Sequence, residues 1–167
     1  MLTTNQKGAL AEAKIALECI EAGFGVALPF ADERYDLILD LRPGLLRVQC
    51  KWAVRRGDVV VITCRTNRRG PNGFIPRTYE SGEIDAIAAY CQETGACYLL
   101  PLAQSVGRTA VHLRVAPSRN NQRSGINWAR DFELGATLKR LRGPIAQLGE
   151  RVAGSDEVAG SSPAGST

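Results

Sequence analysis

Residues 35–52 read YDLILDLRPGLLRVQCKW. Apolar residues alternate through Tyr35–Leu41 and again through Leu45–Trp52, and Pro43-Gly44 between them is a turn signal. The pattern predicts two strands joined as a hairpin. Residues i and i+2 of a strand point to the same face. Gln49 and Lys51 therefore share a face, and pairing of the hairpin can bring Asp36 to them. Trp52, on the other parity, is expected to pack on the opposite side.

The segments on either side predict a mixed sheet. Residues 5–22, NQKGALAEAKIALECIEA, repeat Leu10, Ala13, Leu17 and Ile20 at helical spacing. Asn5 or Thr4 can cap this helix, and Gly23 stops it. Phe24–Pro29 reads as a short first strand. Downstream, Asp58–Cys64 is a β-branched strand, and Arg65–Arg77 reads as a basic loop rich in Gly and Pro. Gly82–Cys91 reads as a short helix carrying Ile84, Ile87 and Ala88. Cys97–Leu102 and Thr109–Val115 read as strands, and Asn127–Leu141 as a helix. The order predicts an α/β fold with a mixed sheet flanked by helices.

Composition narrows the function. The chain has 167 residues, 44% apolar and 23% charged, which suits a globular domain rather than a collagen-like, coiled-coil or disordered chain. There is no apolar run long enough for a membrane span and no secretory signal at the N-terminus. Five cysteines without CxxC spacing and one histidine, His112, argue against a zinc site and against histidine-dependent triads. Reduced, mostly buried thiols in a cytoplasm fit best, and His112 reads as structural. No GxGxxG turn or GxxxxGK[ST] loop is present, which removes Rossmann and P-loop chemistry.

The charge is uneven. The formal net charge is +4. Between Leu41 and Tyr79 there are nine basic residues, eight of them Arg, against one acid, Asp58. Such a basic field selects phosphate. Arg55, Arg56, Arg65, Arg68, Arg69 and Arg77 are the candidate DNA contacts. Residues 143–167 depart from this pattern. They are rich in Gly, Ser and Ala, and their codons can spell a tRNA-like gene. The expected organisation is an ordered domain over 1–142 and a disordered tail over 143–167, the product of read-through into a tRNA-like sequence.

Asp36, Gln49 and Lys51 on one patch, with Glu12 on the helix face that can turn towards it, suit metal-assisted hydrolysis of a phosphodiester. Carboxylate oxygens hold Mg²⁺, which prefers oxygen donors. The metal lowers the pKa of a bound water, and a lysine orients that water or stabilises developing charge. The plainer alternative has Asp36 at a strand end and Lys51 solvated.

The chain resembles a family. The segments that carry the likeness are GALAEAKIALECIEAGFGVALPF, RYDLILD, RVQCKW, TYESGEIDAIAAYC and CYLLPL, together spanning residues 8–102. They are similar to the PD-(D/E)XK nucleases, and among these to the branch of bacterial group I introns that carries QxK. The resemblance implies a restriction-endonuclease-like core, a four-stranded or larger mixed sheet flanked by helices. It implies Asp36 as the central metal-binding acid, Lys51 as the catalytic lysine, Glu12 as the helix carboxylate and Gln49 in the place of the usual Glu or Asp. The main-chain carbonyl of Cys50 would complete the coordination. It further implies an endodeoxyribonuclease acting on double-stranded DNA with Mg²⁺ (Mn²⁺ substituting), as a dimer or tetramer, at the nucleoid. Two departures stand out. Tyr35 replaces the usual Pro, and the neutral Gln49 leaves the site one negative charge short. The alternatives are a non-catalytic nucleic-acid-binding protein on the same fold and a Holliday junction resolvase. Asp85 in GEID matches a family position but also reads as helix capping and packing. Tyr79, Tyr90 and Tyr98 read as core or rim aromatics.

Overall fold

A computed structural model describes residues 1–70, 73–117 and 124–153, without the side chains of 67–70, 74 and 144–153. Helix α1 spans Thr4–Glu21. Its cap is Thr3, one residue before the expected pair. The Thr3 hydroxyl accepts from Gln6 N, and the Gln6 side chain accepts from Thr3 N, a reciprocal capping box. The helix stops at Gly23, whose φ of 86° suits glycine. The buried stripe of α1 is Ala11, Ile15 and Cys19. Leu17 and Ile20, expected on the apolar face, are exposed. The small residues Ala11 and Cys19 let the helix lie close to the sheet on either side of the buried Ile15, while Leu17 and Ile20 turn outwards.

The sheet has seven strands. Strand β1 (Gly25–Ala27) pairs antiparallel with β2 (Leu37–Asp40), and β2 pairs antiparallel with β3 (Leu45–Arg56). The predicted hairpin is therefore present, with β3 running longer than expected. β4 (Val59–Thr63) folds back on the end of β3, and β9 (Ala110–Arg114) joins β4. Residues 65–77, expected as a loop, form a separate antiparallel ribbon of β5 (Arg65–Gly70) and β6 (Gly73–Thr78).

Gly82–Cys91 is the main correction. Its second half is not helix but strand β7 (Ala86–Cys91), parallel to β3 with Val48 beside Ala86 and Ala53 beside Cys91. All six residues are buried. Ala86, Ala88 and Tyr90 face the core under α1, whereas Ile87, Ala89 and Cys91 face a second core on the other side. A strand buried on both faces shows no alternation, so its sequence does not separate it from a buried helix. β8 (Ala96–Pro101) pairs antiparallel with β7. Asn127–Leu141 is helical only in part. A 3₁₀ turn at Ala129–Phe132 precedes α2 (Leu134–Ala153), which buries Leu134 and Leu138 against the α1 side of the sheet. The backbone of α2 runs through 143–153, into the stretch expected to be disordered. Residues 154–167 lie outside the described residues. No described helix is long and apolar enough to cross a membrane. All five cysteines are free and buried.

Candidate active site

The site grows from a gap in the sheet. β2 pairs with residues 45–48 of β3, and β4 pairs with residues 54–56. Between them, residues 49–53 have a strand partner only in β7. Asp36 fills the start of this gap. Its backbone N–H donates to Val48 O at 2.9 Å, continuing the ladder by one step. Its side chain takes over as acceptor for the next residues. Oδ2 accepts from Cys50 N at 2.6 Å and from Gln49 Nε2. A carboxylate thus replaces a strand's carbonyl, which fixes its position on two sides.

Gln49 and Lys51 share the face opposite α1, as the strand parity predicts. Gln49 Nε2 also lies 3.4 Å from Cys50 O. One amide donor therefore sits between two oxygens, Asp36 Oδ2 and the Cys50 carbonyl. Two oxygens converging on one electropositive group, with a second carboxylate nearby, suit a hard divalent cation. The donor set is limited. Among the described residues no group of three or more His, Cys, Asp or Glu side chains is placed to hold a metal. Asp36, Glu12 and the Cys50 carbonyl are the oxygens that could do so.

The electrostatics match that chemistry. Burial pushes the Asp36 carboxyl up, against the Cys50 N–H, the Lys51 charge and Gln49, which pull it down. Burial and then the charge of Asp36 push Glu12 up. Burial pushes Lys51 down, and the charge of Arg34 adds to this, while Asp36 opposes it. Carboxylates pushed up and a lysine pushed down in a partly buried patch make it a candidate functional site.

The other expected residues are spread more widely. Trp52 is on the α1 face, edge-on to Tyr90 at 5.7 Å between centroids, with Lys7 over its ring. Arg55 and Arg56 are exposed where β3 turns into β4, and Arg55 Nε donates to Gly57 O. Arg65 is exposed at the root of the ribbon. Arg77 is exposed on β6, with Nη2 2.6 Å from Glu83 Oε1. Arg68 and Arg69 lie on β5, and their side chains lie outside the description. Tyr79, Tyr90 and Tyr98 are buried as expected. His112 is exposed on β9, not in the core. Asp85 caps no helix. Its carboxylate accepts from Arg47 N at 2.8 Å, Nε at 3.0 Å and Nη2 at 2.9 Å, clasping β3 to the start of β7.

Three residues beside the site were not singled out as functional from sequence. The Tyr79 ring has Lys51 Nζ 5.3 Å and Arg34 Cζ 5.0 Å from its centroid. Arg34 pairs with Glu83 at 3.3 Å. The available signal was Arg34 two positions before Asp36, and Glu83 in the quoted TYESGEID.

The family model for PD-(D/E)XK endonuclease matches residues 2–135. The chain belongs to the PD-(D/E)XK endonuclease family. A solved structure of a bacterial homing endonuclease, I-Ssp6803I, superposes with a TM-score of 0.65 at 23% identity. The match covers 94% of this chain and all of that one. At this identity the likeness shows the fold alone. None of the curated proteins matches the chain by sequence. PD-(D/E)XK endonucleases generally use divalent metal ions, and the oxygens at Asp36, Glu12 and Cys50 fit one.

Proposed function

We propose that the protein is a Mg²⁺-dependent DNA endonuclease of the group I intron homing type. The observation that carries this is the convergence of Asp36, Gln49 and Lys51 in the gap of β3, with Glu12 alongside. Gln at position 49 and the homing endonuclease among similar folds favour the intron branch. Asp36, Glu12 and the Cys50 carbonyl would hold the ion. When bound, it supplies Lewis-acid chemistry, lowering the pKa of water and neutralising charge on the phosphate. Lys51 orients the attacking water and stabilises charge that develops on the phosphate. Gln49 positions the same water. Water adds to phosphorus, the P–O3′ bond breaks, and a 5′-phosphate and a 3′-hydroxyl remain. The substrate is double-stranded DNA at the bacterial nucleoid, held by Arg55, Arg56, Arg65, Arg68, Arg69 and Arg77. One such site cuts one strand, so a duplex break needs a dimer or tetramer.

The test uses the full chain and supercoiled plasmid carrying the DNA that flanks its gene. Wild type, Asp36→Ala and Lys51→Ala are compared in Mg²⁺, Mn²⁺ and EDTA. Cutting by wild type in either metal, absent in EDTA and in both variants, is expected. Wild type that binds but does not cut would overturn the enzyme reading in favour of a binding module. Cutting that survives both substitutions would overturn the site.

A further inference from the structure

Two cations share the Tyr79 ring: the Lys51 ammonium and the Arg34 guanidinium. Like charges held this close repel, and an aromatic face offsets only part of that. Among the described residues Arg34 has one anionic partner, Glu83, whose Oε1 and Oε2 lie 3.3 and 3.4 Å from its Nε and Nη2. That carboxylate is already shared. It also accepts from Arg77 Nη2 at 2.6 Å and from Glu80 N at 3.1 Å. One negative charge therefore faces two guanidinium groups, so Arg34 keeps incompletely compensated positive charge beside the Lys51–Asp36 pair.

The donors of Arg34 are also incompletely used. Its Nε is buried and, although ion-paired, makes no hydrogen bond among the described residues. Arg47 offers the contrast: its Nε and Nη2 are committed to Asp85 at 3.0 and 2.9 Å. Arg47 is a structural clasp. Arg34 is held loosely, partly exposed, and two residues from Asp36.

We propose that Arg34 binds the scissile phosphodiester together with Lys51, and that Glu83 positions its guanidinium for this contact. A guanidinium fork matches two phosphate oxygens at once, which an ammonium does not. The anion between the two cations relieves their repulsion. Because Glu83 also holds Arg77, the same carboxylate ties this contact to the basic ribbon. The proposal rests on the endonuclease reading above.

The test uses the full chain and the same plasmid, with Arg34→Ala, Arg34→Lys and Glu83→Gln. Cleavage rate at saturating protein is measured in Mg²⁺, and DNA affinity is measured separately in EDTA. Arg34→Ala should lose about 10²–10³-fold in rate, as removal of one preorganised donor does, with affinity changed far less. Arg34→Lys should recover part of the rate, because the charge returns without the fork. Glu83→Gln should fall between wild type and Arg34→Ala. A duplex with a neutral methylphosphonate at the mapped cut should bind wild type more weakly than the unmodified duplex, and that penalty should shrink in Arg34→Ala. If Arg34→Ala fails to fold, Arg34→Lys and Arg34→Gln carry the test, with Lys expected to be faster. Wild type that cuts, beside folded Arg34 variants that cut equally fast, would overturn the proposal alone. Wild type that binds and never cuts would overturn it with the endonuclease reading.

Discussion

Asp36→Asn and Asp36→Ala both remove the charge at the centre of the site, but only Ala also removes the acceptor used by Cys50 N–H. That N–H donates to Asp36 Oδ2 at 2.6 Å, from a residue that is itself buried. The Asn side chain keeps an oxygen there that accepts from both Cys50 N and Gln49 Nε2. The Ala variant leaves the N–H without its partner. A buried donor left unsatisfied costs about 1–3 kcal/mol, and partial water access at Asp36 argues for the lower half, about 1–2 kcal/mol. For a chain of this size that corresponds to a melting difference of about 2–8 °C. Both variants lose the same buried charge, so its desolvation cancels between them. The assay is thermal unfolding at pH 7 in EDTA, with plasmid cleavage in Mg²⁺ alongside. Asp36→Ala should melt below Asp36→Asn by the stated amount. Both should lose cleavage by about 10³-fold or more, equivalent to roughly 4 kcal/mol of barrier. Equal melting of the two variants, or Ala above Asn, would refute the hydrogen-bonding account. Cleavage retained by Asn would refute the charge's role.

Other outcomes follow from the same structure. Arg47 holds the Asp85 carboxyl below its ordinary value of 3.8. The stability from this pair is therefore present above that value and lost as pH falls through the lowered one. The melting gap between wild type and Asp85→Asn should hold through neutral pH and close below about pH 4. Ile15→Ala, at a fully buried position on α1, should cost about 2–5 kcal/mol in urea unfolding, whereas Leu17→Ala, at an exposed one, should cost under about 0.5 kcal/mol. Arg65→Ala should weaken DNA binding and flatten the dependence of log Kd on log salt by about one unit. An unchanged slope would remove Arg65 from the phosphate contacts.

How much was legible depends on whether the signal is local. The β2–β3 hairpin was legible because one face of it is covered by α1, which enforces period-two alternation around a turn at Pro43-Gly44. Asp36, Gln49 and Lys51 followed from the same parity, and Glu12 from the helix face. β7 was not legible, because AIAAYC is apolar on both faces and Ala favours helix in isolation. The ribbon of β5 and β6 was hidden by its polar, Gly- and Pro-containing sequence. The stripe of α1 was misplaced because Leu17 and Ile20 repeat at helical spacing on the exposed side, whereas Ala11, Ile15 and Cys19 are the residues that pack.

The Arg34–Tyr79–Glu83 cluster shows the remaining limit. Arg34 and Glu83 are 49 positions apart, and no local pattern links them. They meet because β7 returns parallel to β3 and brings the residues before it to the edge of the gap. The sequence by itself determined the strand parity and the basic field and named the candidate carboxylates and lysine, because periodicity and composition are properties of neighbouring residues. Only the tertiary structure decided where β2 begins, so that a carboxylate, and not a carbonyl, meets Cys50 N–H. It also decided which arginine stands beside Lys51, because that depends on strands distant in the chain and on the burial their packing creates.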